Sequence, residues 1–215
     1  MMSHGPEHWH PNPWFFYQKG AGPMFDMGPY YMTALVHLLG PAKCVSAITT
    51  RAQDVRIAAS EEHLGKQIPV DVPTHYAGTI EFHSGAVVTV TMSFDIWKHG
   101  HKPIEIYGTE GSLAVPDPNK FGGPVNMFTK ANNEWQTQAL SHRYADNARS
   151  IGAADMAYAI LGKRKHRANG NLAYHILEIM HAFEKSSSTG RHVKLKSKPA
   201  RPAALPLGLI EGRLD

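Results

Sequence analysis

Two side chains four residues apart, Asp26 and Tyr30, carry the clearest chemical signal in the sequence. At i and i+4 on a helix a carboxylate and a phenol lie side by side, and Thr33 extends the same stripe. Such a set could bind substrate hydroxyls and move a proton. The spacing equally suits a structural role, in which Asp26 caps the helix start and Tyr30 packs half-buried. His175 precedes Glu178 by three residues, which lets a carboxylate orient an imidazole, although a helical histidine beside a charge also reads as surface. Asp155, in an alanine-rich segment, has the same ambiguity, and Cys44, in a strand-like run, reads as inert core.

The N-terminal His4-Gly5-Pro6-Glu7-His8 literally matches the H-x-x-E-H pattern of a zinc peptidase. That chemistry needs both histidines on one helical face, which Gly5-Pro6 opposes. A looser site from His4, Glu7, His8 and His10 would suit zinc or iron, but loop histidines beside aromatics more often serve as hydrogen-bonding groups, so no metal is expected. No G-x-G-x-x-G follows a strand. Gly20-Ala21-Gly22-Pro23 has neither the spacing nor the βαβ context of a dinucleotide loop, so no cofactor-binding residue is expected in this chain.

The elements that must position these groups can be read from the period of the apolar residues. Residues 1–24 are punctuated by glycine and proline yet carry Trp9, Trp14, Phe15, Phe16 and Tyr17, which predicts a structured aromatic loop. A helix is predicted over 26–39, with Asp26 as N-cap, Pro29 in the first turn and Gly40-Pro41 as the stop. Tyr31, Ala34, Leu35 and Leu38 form its packing face; Asp26, Tyr30, Thr33 and His37 form a polar stripe. From Lys43 to about Leu113 the period is two. Tyr76, Gly78, Ile80 and Phe82 alternate with His75, Ala77, Thr79 and Glu81, Ser84-Gly85 turns the chain, and Val88, Val90, Met92 and Phe94 alternate with Val87, Thr89, Thr91 and Ser93. Shorter strands are predicted at 104–107, 112–115 and 125–129, helices at 153–161 and 172–185, and a final strand at 191–195.

Strands bracketed by helices without a βαβ rhythm argue an α+β fold, with an antiparallel, open-faced sheet that carries helices on one face and a threonine-rich second face that is exposed or paired with another subunit. One domain over 1–200 and a Pro-rich tail over 201–215 are expected. The chain of 215 residues is 42% hydrophobic, enough for one sizeable core. A single cysteine rules out an internal disulfide framework and fits a reducing compartment. There is no signal-like start and no run of about 18 apolar residues, so no membrane association is expected. The net charge of +4 is thinly spread outside Lys163-Arg164-Lys165-His166-Arg167 and residues 194–201, which read as solvated, and nucleic acid is not an expected partner.

Several segments together resemble the C-terminal domain of the Gfo/Idh/MocA family, the relatives of glucose-fructose oxidoreductase and inositol dehydrogenase. They are Glu7-His8-Trp9-His10-Pro11-Asn12-Pro13, Phe16-Tyr17, the run from Gly20 through Asp26-Met27-Gly28-Pro29-Tyr30-Tyr31, Tyr107-Gly108-Thr109-Glu110-Gly111-Ser112-Leu113, residues 151–157, and residues 173–178. The resemblance implies a two-domain enzyme: a Rossmann domain that binds NAD or NADP, and an α+β domain that supplies the substrate pocket and an oligomerising sheet. This chain corresponds to the second, without the Rossmann domain. Hydride would pass between a sugar or polyol carbon and the nicotinamide while a base takes the hydroxyl proton. A lysine of the Rossmann domain and a D-x-x-x-H pair do this work in many members. Asp26 falls on the Asp of that pair, and Tyr30 stands where the His is expected. A phenol with a pKa near 10 needs a neighbouring cation to act as a base. Either Tyr30 is so activated, or a histidine such as His10 or His175 is brought in from elsewhere.

The expectation is therefore catalytic roles for Asp26 and Tyr30 and substrate binding by His10, Thr33 and His175, in a homo-oligomeric, cytoplasmic protein acting on a sugar-like molecule. The alternative is a non-catalytic carbohydrate-binding or oligomerising module, or an inactive remnant.

Overall fold

Gly22 and Gly40 bound the first helix, α1 (Pro23–Leu39), and both adopt positive φ, 91° and 86°. The helix starts three residues earlier than its apolar period suggests, because Pro23 has a φ already suited to a first helical position. Asp26 is consequently not the N-cap: it lies inside the first turn, and Gly22 occupies the cap position. Pro29 is tolerated within the helix, as the sequence indicated.

The computed structural model describes residues 1–146 and 148–215. They form two units, Met1–His99 with Asn171–Arg201, and Gly100–Gly170 with Pro202–Asp215.

In the first unit β1 (Ala42–Thr50), β4 (His75–Phe82), β5 (Val87–Ser93) and β10 (Val193–Lys194) make an antiparallel sheet in the order β10-β1-β4-β5. A small hairpin, β2 (Val55–Ile57) with β3 (Gln67–Pro69), stands beside it. The period-two alternation fixes the register: Ile80 pairs with Val45 and Val88, and Tyr76 with Thr49 and Met92. Tyr76, Ile80, Phe82, Val90 and Met92 are buried on one face. The other face carries Ser46, Ile48, Ala77, Thr79, Val87 and Thr89, with Ile48 and Val87 each 69% exposed.

Helix α3 (Gly170–Thr189) covers the end of β1 left bare by the two-residue strand β10. The Ser186 and Ser187 hydroxyls accept the amide hydrogens of Ala47 and Thr49, each at 2.9 Å, so α3 satisfies an edge that would otherwise invite pairing. Tyr76 donates to Glu184 at 2.8 Å. Helices α1 and α3 meet at Gly28, where a Cβ would lie 2.9 Å from Met180 Sδ, so only glycine allows this approach without displacement.

The second unit holds β6 (Ile104–Tyr107), β7 (Gly111–Val115), β8 (Val125–Thr129) and β9 (Trp135–Gln138) in sequential antiparallel order, and α2 (Ile151–Leu161). The basic run after α2 is a scaffold rather than a solvated loop. Asp155, only 4% exposed, accepts the Arg167 amide at 2.7 Å and Arg164 Nη2 at 2.8 Å, and also pairs with the Arg167 guanidinium. Arg164 reaches on to Asp215. The terminal segment has no regular element but is tied down: Leu209 and Leu214 are buried, and Tyr158 donates to the Gly212 carbonyl.

Candidate functional site

Residues 5–22 build the wall of a cleft at the start of α1, and a buried ionic network holds them. Glu7, 4% exposed, accepts Arg56 Nη1 at 2.6 Å and the Tyr17 hydroxyl. Arg56, 7% exposed, also pairs with Asp95, which accepts the Thr74 hydroxyl at 2.7 Å. Burial and the Glu7 carboxylate push the Tyr17 phenol well above its ordinary pKa, so it stays a donor. The Glu7 of the peptidase-like pattern is thus committed to folding. His4 stacks on Trp97 with ring centroids 5.4 Å apart, and His8 tilts against the same ring.

Glu7 lies in a short 3-10 turn, Pro6–His8, and a second one, Pro13–Tyr17, carries Trp14, Phe15, Phe16 and Tyr17. Phe16 and Tyr17 are buried with Ala58, Ile68, Val70 and Phe94, which docks the loop on the β2–β3 hairpin. Backbone bonds close it: Tyr17 O accepts Asp71 N at 2.9 Å and Phe16 O accepts Gly22 N at 3.0 Å.

Between this loop and α1 lies a cleft of about 230 Å³. Phe15, Phe16 and Phe25 give it apolar walls, Gln18, Lys19 and Asp26 give it polar groups, and Gly20 and Ala21 leave it open. No side chain or backbone donor among the described residues hydrogen-bonds the half-buried Asp26 carboxylate. Burial raises its pKa above the ordinary carboxylate value, and the nearby His10 partly offsets this. A desolvated carboxylate at the mouth of a cleft, free of structural duty, can accept a hydrogen bond and then a proton from a ligand hydroxyl.

His10 is held in a defined orientation. Its Nδ1 accepts the Asn12 amide hydrogen at 3.0 Å, which assigns the proton of a neutral ring to Nε2. The ring sits edge-on to Phe16 at 4.7 Å and to Trp9 at 5.4 Å. His10 thus comes from a different element than Asp26, offsets part of the rise in its pKa, and is not among the residues that line the cleft.

Of the predicted site residues only Asp26 lines the cleft. Tyr30, 39% exposed, is one turn along α1 from Asp26, and Thr33 is half-buried a further turn on; neither lines the cleft. His175 is fully buried: Nε2 accepts the Ala42 amide hydrogen at 3.0 Å, and Nδ1 meets the Ser197 hydroxyl at 2.6 Å. Burial lowers its pKa. With both nitrogens occupied inside the core, His175 has no atom to offer a ligand, and its role is to join β1, α3 and the segment after β10. Glu178 accepts Ser197 N and Lys196 N, so Ser197 stands between it and His175. Sequence reasoning missed Phe15, Gln18, Lys19 and Phe25; the only signal was their proximity to the glycine-rich turn.

That turn does not fit a dinucleotide. It follows a 3-10 turn rather than a strand, and a Cβ on Gly22 would lie 2.9 Å from the Pro73 carbonyl oxygen, so its glycine serves the chain's own close approach.

The first unit thus has an α+β architecture, an antiparallel sheet with one open face and helices on the other, with a carboxylate-bearing cleft at a helix start. Residues 1–114, just over half of the chain, match the family model described as the GFO/IDH/MocA C-terminal domain, and the chain belongs to that family. It is 24% identical over 182 residues to the D-glucoside 3-dehydrogenase of Escherichia coli (strain K12), covering 82% of this chain and 50% of that protein. The chain thus spans about half the length of the curated relative it matches. Among solved structures, levoglucosan dehydrogenase in complex with NADH and L-sorbose superposes with a TM-score of 0.72 at 19% identity, covering 91% of this chain and 57% of that one. An NAD binding oxidoreductase from Klebsiella pneumoniae gives 0.71 at 18% identity, covering 92% and 58%. The aldose-aldose oxidoreductase from Caulobacter crescentus, complexed with glycerol, gives 0.64 at 18% identity, covering 90% and 53%. These likenesses establish the α+β fold.

Proposed function

We propose that this chain is the substrate side of an NAD-dependent oxidoreductase that acts on a carbinol carbon of a sugar. Asp26 carries the reading: a half-buried carboxylate that no donor among the described residues hydrogen-bonds, with a raised pKa, at the mouth of a cleft with mixed walls. The dinucleotide supplies a hydride acceptor when bound, and residues other than these hold it. Support for the substrate class and for NAD comes from the names of the relatives, which include a glucoside dehydrogenase and a levoglucosan dehydrogenase in complex with NADH.

In this reading Asp26 accepts a hydrogen bond from the reacting hydroxyl and takes its proton as the carbon is oxidised. A raised carboxyl pKa makes it a better base than an exposed aspartate. His10, with its proton on Nε2, is a donor rather than the base, and it orients the hydroxyl or the carboxylate. Tyr30, one turn away and half-exposed, is a secondary contact to substrate, and Thr33 flanks it. This arrangement does the work of the D-x-x-x-H pair with the imidazole supplied from a loop.

Residues 1–200 serve substrate binding and oligomerisation in this proposal, and residues 201–215 are a tail. The threonine-rich face of the β10-β1-β4-β5 sheet is the surface for a second copy of the chain, since Ile48 and Val87 stand exposed on it. No helix among the described residues is long and apolar enough to cross a membrane, and we place the protein in the cytoplasm on the strength of its single cysteine. The deciding experiment is turnover of the protein that carries this chain with Asp26→Asn. Loss of NAD-linked oxidation with unchanged folding supports the reading, and wild-type turnover overturns it.

A further inference from the structure

Phe15 is 63% exposed, yet both of its following neighbours are buried, Phe16 at 8% and Tyr17 at 0%. Here the 3-10 turn is held by the Tyr17 hydroxyl on Glu7 and by Gly22 N on Phe16 O, and the Phe15 ring lines the cleft. Phe16 braces it nearly perpendicular, at 82° and 5.2 Å. Around this fixed apolar surface stand three groups that bind hydroxyls: the Gln18 amide, the Lys19 amine and the Asp26 carboxylate.

We infer that Phe15 is a stacking platform that makes the cleft select a pyranose ring with equatorial hydroxyls over an open-chain polyol. A ring of that configuration has two chemically different aspects. Its axial C–H bonds form a contiguous apolar face of slightly positive character, which matches the negative face of an aromatic ring, while its hydroxyls radiate at the rim. A cleft with one displayed aromatic and polar groups around it accepts both aspects at once. An open-chain alditol presents no continuous C–H face, and gains only the rim contacts. The inference rests on the reading of Asp26 as the group that meets the substrate hydroxyl, and narrows it to one substrate shape.

The test is binding of methyl β-glucopyranoside and of sorbitol to this chain, followed by NMR chemical-shift perturbation. Phe15→Leu keeps apolar volume but removes the aromatic face, and Phe15→Trp keeps the face. The wild type should prefer the pyranoside. Phe15→Leu should weaken the pyranoside by roughly fivefold and leave sorbitol unchanged, and Phe15→Trp should retain the preference. Equal affinities in the wild type, no detectable pyranoside binding, or an equal loss for both ligands in Phe15→Leu each overturns the inference. Asp26→Asn separates it from the reading beneath it. Loss of turnover in Asp26→Asn without any Phe15 effect on selectivity removes the platform alone; a Phe15 effect with wild-type turnover in Asp26→Asn leaves the platform and removes the catalytic assignment.

Discussion

The amide hydrogen of Asp26 donates to the Gly22 carbonyl at 3.0 Å, which seats Asp26 within the first turn of α1 and leaves its carboxylate free of capping duty. A capping aspartate would be spent on backbone amides. No donor among the described residues is hydrogen-bonded to this one, and it lines a cleft.

Asp26→Asn should lower turnover by about a hundredfold or more, the scale of a lost general base. It should also change stability in a pH-dependent way. Burial raises the folded pKa of Asp26, so between the ordinary value of about 3.9 and that raised value the folded state holds the proton more tightly than the unfolded chain. Stability therefore falls as pH rises through this window, and the penalty is fully present above it. Urea denaturation should find Asp26→Asn at least as stable as wild type at pH 7, with the difference vanishing below pH 4; a less stable variant at pH 7 would contradict the burial argument.

His175 behaves in the opposite sense. Its folded pKa is lowered by burial, so the unfolded chain protonates first as pH falls below about 6.5. The contribution of His175 is complete above that value and is lost on acidification. His175→Ala leaves the Ala42 amide and the Ser197 hydroxyl without their partner, at a cost of roughly 3 kcal/mol, and should flatten the decline of stability between neutral and mildly acid pH. Denaturation midpoints at a series of pH values measure both effects.

Arg56→Ala should cost about 3–5 kcal/mol, because it strands two carboxylates, Glu7 and Asp95, in a buried site. It should also loosen the loop that carries Phe15 and His10. Thermal denaturation together with ligand binding checks the pair; a destabilised variant that bound ligand as tightly as wild type would separate the network from the cleft.

Gly22→Ala should cost about 1–3 kcal/mol, since φ of 91° with ψ of 171° belongs to glycine alone and the added Cβ meets the Pro73 carbonyl. The damage falls on the start of α1, so ligand affinity should drop with stability. Chemical denaturation and titration of the same variant read it.

Ile48→Lys places a charge on the open sheet face, where the side chain is 69% exposed and buries little within one copy. Stability of the isolated chain should change by less than about 0.5 kcal/mol, while association should weaken. Sedimentation velocity over a range of concentrations distinguishes a lost oligomer from an unaffected one.

Much of the fold was legible in the sequence because it rests on period and punctuation. The alternation over 75–94 predicted the β4–β5 hairpin with its faces, the strands at 104–107 and 125–129 match their predicted bounds, and Gly40 ends α1 as expected. Strands β2, β3 and β9 escaped, since three or four residues of mixed polarity carry no measurable period. Helix α3 runs on to Thr189 because its last serines are recruited to bond β1, a tertiary reason that no helix propensity contains.

What the sequence by itself determined was the α+β class, the helix that bears Asp26 and the stripe shared with Tyr30, since these follow from spacing along one element. What surrounds each candidate histidine was decided only by tertiary structure. His10 and His175 were equivalent as letters, and packing separated them: one lies on the loop held by Arg56 and Glu7, beside Phe16 and Trp9, and the other is sealed between β1 and α3. The burial that raises the Asp26 pKa is likewise a sum over residues far apart in the chain, and spacing cannot report it.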